Sequence, residues 1–407
     1  MKLRLFVLCV AVVTGCRGTP PARGQAPDLS RLVDSMRPVV ERASGLRFKG
    51  PTRSAMKTKD EVRTFLLGKL EQDFPPARQE GVEAVYRLLG LIPDSLDLKQ
   101  LLLDLYTEQV AGYYDPESAT LYGVVGAEPT ALRFVLAHEL VHALQHQYLP
   151  LDSLMRIKAS ADEQTAVQAV LEGQATVASI VAFVPDRDIL RQPGFWQMAR
   201  EQVRTQAASM QIFSRAPLAV REGLVFPYLG GAEFMRWWDS ARAGEPLPTL
   251  ATMPRSTEQI LHPARYALGD APVPVRFADP AGDALYEDTF GELEIQTLAT
   301  VLRGGGEVLT GTPIGWGGDR FRVYRTAAGP ALVWYLVWDD EVSSTRFQRT
   351  AGVRLLAAQR QGYRTAVEPF GGTGKPGIRI VIAPVRWDRW RSLPRLGNGP
   401  WAMDNRQ

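Results

Sequence analysis

The chain is short of cysteine and histidine. Both cysteines, Cys9 and Cys16, lie in the first sixteen of 407 residues. A disulfide framework, or a closed zinc site built from thiols, needs more cysteine than the rest of the chain holds. There is no long basic run, and the formal net charge is +3. Lys2 and Arg4 supply two of those positives, so the chain beyond residue 16 stands near +1 (3 − 2). That charge gives no electrostatic reason for a nucleic-acid partner. No GxSxG elbow occurs, which disfavours a serine hydrolase. Internal repeats and low-complexity segments are also missing.

What is present begins at the N-terminus. MKLR is followed by the apolar LFVLCVAVV and then TGC. A basic start, a short apolar stretch and small residues at the cut describe an export signal. The stretch is too short for a comfortable membrane span. VTGC resembles a bacterial lipobox, in which Cys16 becomes the acylated first residue. The expectation is a lipoprotein signal peptide over 1–16 and a flexible tether over 17–28. The chain would then be exported and anchored to the bacterial cell envelope, in the periplasm or at the surface.

At 45% hydrophobic and 22% charged residues, the remainder has the composition of a soluble globular protein. Residues 29–110 carry apolar side chains at three- and four-residue spacings, a helical pattern. GYYDPESATLYGVV has Asp-Pro and Gly punctuation around β-formers, which predicts a hairpin or short edge strand. Helices are expected from about Pro129 to Tyr148, capped near Thr130, and over Asp162–Phe183, Gln192–Ile212 and Pro227–Ala243. Residues 244–275 form a proline-rich loop. TFGELEIQTLATVLR and VSSTRFQRTAGVRLLAAQRQ are expected to be helical. RFRVYRT, ALVWYLVW and IRIVIAP are expected to be strands, and Asp319-Arg320 a buried ion pair at a turn. The fold expected is helix-rich α+β. A catalytic domain would span 29–275 and an α+β C-terminal region 276–407.

Three of the four histidines fall in AHELVHALQHQY. On a helix, His138 and His142 share one face, a turn apart. Both imidazoles can reach one metal ion, and Glu139 stands beside the first as a general base. This is the HExxH pattern of zinc peptidases. His146 lies roughly 12 Å along the axis from His138, too far to join them. It is expected at the helix end, facing water or the dipole. Tyr148 occupies the position where a metzincin would place its third histidine.

Glu172, in AVQAVLEGQATVASIVAF, is the better third ligand. It is the only ionisable side chain from Gln164 to Pro185. A lone carboxylate in an apolar helix is costly unless it is paired or binds metal. Gly173 and Ala175 are small enough to let this helix approach the HELVH helix. HELVH with a downstream glutamate in LEGQAT resembles the gluzincin zinc metallopeptidases, over about residues 110–185. The resemblance implies a zincin-like core with one Zn2+ on His138, His142 and Glu172, and Glu139 as base. It also implies that the hairpin over about 118–125 is the edge to which an extended peptide adds. The thirty-residue gap from His142 to Glu172 is wider than in many members.

RSTEQILHPARY holds the fourth histidine. Either His262 donates to the oxyanion of a peptide substrate, with Tyr266 and Tyr114 next as substrate-binding groups, or it only ends a short helix capped by Ser256-Thr257 with Glu258 as the capping-box partner. The function expected is zinc-dependent hydrolysis of peptides or proteins. The alternative is a catalytically inactive peptidase-like lipoprotein that binds peptide or a partner protein.

Overall fold

The computed structural model describes residues 28–155, 160–184, 188–282, 284–306, 308, 314–358, 360–371 and 374–397. Cys16, the signal segment and most of the tether lie outside these residues. The fold is helix-rich α+β with two separate sheets. The N-terminal part contains α1 (Leu29–Ser44), β1 (Arg53–Lys57), α2 (Lys59–Asp73), α3 (Pro76–Leu88) and α4 (Leu98–Gln109). The hairpin strands β2 (Gly112–Asp115) and β3 (Thr120–Val124) follow, then α5 (Pro129–His146), α6 (Leu151–Met155) and α7 (Ala161–Phe183).

The first sheet has the order β1-β3-β2, with β1 parallel and β2 antiparallel to β3. The hairpin was expected to present 118–125 as a free edge. Instead β3 is the central strand, because β1 occupies its other side. The absence of any strong alternation in RSAMK hid β1 among the helices. The edge strands are β1 and β2, and β2 is buried along its length.

The cap of α5, expected at or near Thr130, is Glu128: its carboxylate accepts the amides of Thr130 and Ala131, with Pro129 in the first turn. Proline suits that position because the amide it lacks would have no helical partner. Ser160 caps α7 by accepting the Glu163 amide, and Pro185 follows its end. Helix α7 is long and apolar enough to cross a membrane, but 72% of its apolar window is buried within the protein. It packs against α1, α5 and α10, as a helix apolar on all sides must.

The chain continues through α8 (Pro193–Ser209), α9 (Gln211–Arg215), α10 (Leu218–Ala241), α11 (Thr257–Leu261) and α12 (Pro263–Ala267). Helix α10 begins nine residues before Pro227, which lies inside it. From the sequence alone the helix is expected to start at that proline. Burial of Phe226, Phe234, Met235 and Trp238 on both sides of the proline sustains the helix through it.

A five-stranded antiparallel sheet has the order β4-β5-β6-β8-β7. Its strands are β4 (Ala284–Asp288), β5 (Trp316–Tyr324), β6 (Ala331–Trp338), β7 (Tyr363–Phe370) and β8 (Gly377–Pro384). Helix α13 (Gly291–Leu302) links β4 to β5, and α14 (Glu341–Phe347) and α15 (Val353–Ala357) link β6 to β7. All eight residues of β6 are buried. One face of this sheet shares a hydrophobic core with α2, α3 and α4. A second core joins α1, α5, α7 and α10 around the candidate site.

Candidate metal centre

Helix α5 brings His138 and His142 together, with ring centroids 4.8 Å apart. Helix α7 supplies Glu172, whose Oε2 lies 3.0 Å from His138 Nε2 and 3.3 Å from His142 Nε2. One ligand atom from each of the three lies within 4.8 Å of the others, and all three residues are buried. Among the described residues this is the group of His, Asp, Glu or Cys that could hold a metal ion.

Burial works to raise Glu172, but the two imidazoles outweigh it and hold its carboxyl at about 2. Burial lowers His138, against the pull of Glu172. His142 is raised: burial opposes this, and Glu172 overrides it. Glu172 Oε1 is buried with no hydrogen-bond partner. A wholly buried carboxylate with a spare oxygen, beside two imidazoles, fits a divalent cation with nitrogen and oxygen ligands.

Glu139 is buried beside this group. Its Oε2 accepts the main-chain amide of Tyr114 at 2.7 Å. That amide points away from β3, from the outer edge of β2. Tyr114 was expected to offer its side chain to substrate. Its hydroxyl instead lies 2.8 Å from His146 Nδ1, so the main chain is what reaches the site. His146, expected at the helix end facing water or the dipole, is the half-buried last residue of α5 and makes this bond.

Gly173 does not face α5. A Cβ on it would fall 2.2 Å from the carbonyl carbon of Gly231 on α10. The close approach is therefore between α7 and α10. It places Tyr228 of α10 against His138, with ring centroids 5.8 Å apart. Tyr228 escaped the sequence reading because nothing in FPYLGG distinguishes it from a core aromatic.

His262 lies between α11 and α12, with Nε2 2.9 Å from Glu292 Oε1 on α13. It is not a member of the metal-holding group. Ser256 caps α11 by accepting the Gln259 amide, but Glu258 does not complete a capping box. It is buried against Glu292 instead, and burial followed by that like charge pushes it up to about 9. Tyr266 donates its hydroxyl to the Thr252 carbonyl at 2.6 Å and packs edge-on against Phe234 and Trp237.

Asp319 and Arg320 form no ion pair with each other. Asp319 accepts the amides of Phe290 and Gly291 and the indoles of Trp316 and Trp334. Arg320 pairs with Glu287 at 2.6 Å. Adjacent strand residues point to opposite faces, which separates the two.

Two polar residues near the ligands were also missed. Gln145 meets His142 Nδ1, and Gln174 meets Gln145. The signal was available: each is an uncharged polar residue in an otherwise apolar helix face.

The known proteins resembling this chain add little at the site. Residues 279–374 match a family described as a domain of unknown function (DUF8575). That segment lies wholly in the C-terminal part and contains none of His138, Glu139, His142 and Glu172, although its Asp288 accepts the Ala161 amide at the start of α7 at 2.7 Å. No curated protein matches the chain. Among solved structures, a protein from Chloroflexus aurantiacus, provisionally described as a hydrolase with a novel fold, is 18% identical with a TM-score of 0.38. That match covers 61% of this chain and 92% of the other.

Proposed function

We propose that this protein is a zinc-dependent metallopeptidase with a zincin-like site, acting on peptides or proteins. The observation that carries the reading is the convergence of His138, His142 and Glu172 within 4.8 Å of one another, with Glu139 next to the first. A bound zinc ion would supply Lewis acidity, polarising a carbonyl and lowering the pKa of a water. The chain's own residues supply the rest. His138 and His142 would hold the ion through neutral nitrogens, and Glu172 would contribute the single negative ligand. The Glu139 carboxylate takes a proton from the attacking water and delivers it to the leaving amine. The Tyr114 amide holds that carboxylate in place. Tyr228, against the His138 ring, confines it from the α10 side.

The test is cleavage of a quenched fluorescent peptide library by the zinc-loaded protein and by Glu139→Gln. The reading expects turnover in the wild type and a loss of about 100-fold or more in the variant. No turnover by the zinc-loaded wild type, or equal turnover by the variant, would contradict it. Export and acylation at Cys16 belong to the same proposal and rest on the VTGC segment. Cys16→Ser should move the protein from the detergent phase to the aqueous phase.

A further inference from the structure

His142 makes a second bond, on the side of its ring facing away from Glu172. Its Nδ1 lies 2.9 Å from Gln145 Oε1. Gln145 is fully buried, and its Nε2 lies 2.9 Å from the Leu171 carbonyl and 2.8 Å from Gln174 Oε1. Gln174 in turn donates Nε2 to the Pro246 carbonyl at 2.8 Å. A main-chain carbonyl can only accept. Pro246 therefore fixes which end of the Gln174 amide is nitrogen, and Leu171 does the same for Gln145. With its nitrogen committed to two acceptors, Gln145 must turn its oxygen to His142. An amide oxygen cannot donate, so the hydrogen sits on His142 Nδ1. In the neutral ring that a metal needs, Nε2, 3.3 Å from Glu172 Oε2, is then the nitrogen with the lone pair.

We propose that Gln145, held by Gln174, is the positioning residue that sets the tautomer and ring orientation of His142 for metal binding. The proposal rests on the metal-site reading above and deepens it. The arrangement does what a carboxylate behind a metal-binding histidine does, without adding a second negative charge. It also couples the two ligand helices. Leu171, which anchors Gln145, immediately precedes Glu172, so one amide fixes the spacing between His142 on α5 and Glu172 on α7. Through Pro246 the chain of bonds ends in the loop after α10. That loop is itself pinned where Trp238 Nε1 donates to the Glu245 carbonyl at 2.8 Å.

The test uses the full chain, with zinc affinity measured by competition with a chromophoric chelator and the metal-free melting temperature measured alongside. Gln145→Leu should bind zinc about 10- to 100-fold more weakly, and Gln174→Leu several-fold more weakly. Side-chain 15N NMR reads the tautomer directly, since the chain has only four histidines. In the metal-free protein at about pH 9, His142 should carry its hydrogen on Nδ1, and should shift toward the Nε2–H form in Gln174→Leu. Wild-type affinity in both variants, or an Nε2–H form in the wild type, would overturn the proposal. A fall in melting temperature without a change in affinity would assign Gln145 to packing alone and overturn it equally. If the wild type takes up no zinc, the metallopeptidase reading falls, and the NMR tautomer alone decides this one.

Discussion

Gly173 and Gly231 meet backbone to backbone across α7 and α10: a Cβ on Gly173 would fall 2.2 Å from the Gly231 carbonyl carbon, and one on Gly231 would fall 2.0 Å from the Ala169 carbonyl oxygen. Backbone cannot yield as a flexible side chain does. Gly173 adjoins Glu172, so the contact that brings the helices together also sets the depth of the third ligand. In an ordinary helix interior, glycine to alanine stabilises by about 0.5–1 kcal/mol. Here Gly173→Ala should destabilise by about 1–3 kcal/mol, as overpacking does, and should weaken zinc binding as α7 shifts. An unchanged melting temperature and zinc affinity would disprove the close contact.

Asp319 anchors the five-stranded sheet to the start of α13 through two amides and two indoles. Burial nevertheless raises it, to about 6, against the four donors. The folded value then exceeds the unfolded value of about 3.9. Folding favours the protonated form, so the linked stability is present at low pH and lost as pH rises from about 4 to about 6. The loss amounts to at most about 3 kcal/mol. Asn cannot ionise, so urea unfolding of Asp319→Asn and wild type should give stability curves that diverge across that window. Parallel curves would refute the shift.

The Tyr114 side chain and main chain make separable contributions. Tyr114→Phe removes the hydroxyl bond to His146 and leaves the amide bond to Glu139. The expected result is a stability loss of about 1 kcal/mol, with zinc affinity unchanged and peptide turnover within a few-fold of wild type. A turnover loss of 100-fold would instead assign the hydroxyl to substrate, as the sequence alone had suggested.

The helix-rich α+β class and the grouping of His138, His142 and Glu172 were both legible in the sequence. Histidine is so scarce that HELVH stands out, and helical spacing then puts His138 and His142 on one face. Glu172 was legible because an isolated carboxylate in an apolar helix demands a partner. What lay around these residues was not. The role of Gly173 depended on which helix lay opposite, and small residues do not specify their neighbour. His262 and Glu292 are thirty positions apart, and only the fold pairs them. The short strand β1 had no periodicity to announce it, so β3 read as an edge. Gln145 was visible as a polar residue three positions after His142, but its function emerges only with the carbonyls of Leu171 and Pro246 in place.

The central claim is tested most directly by elemental analysis of the purified protein beside Glu172→Ala and Glu139→Gln. The account predicts about one zinc per chain in the wild type and in Glu139→Gln, because Glu139 is not a ligand, and loss of zinc in Glu172→Ala. A wild type that carries no metal and takes none from added zinc would contradict it. So would a Glu172→Ala variant that keeps its full complement.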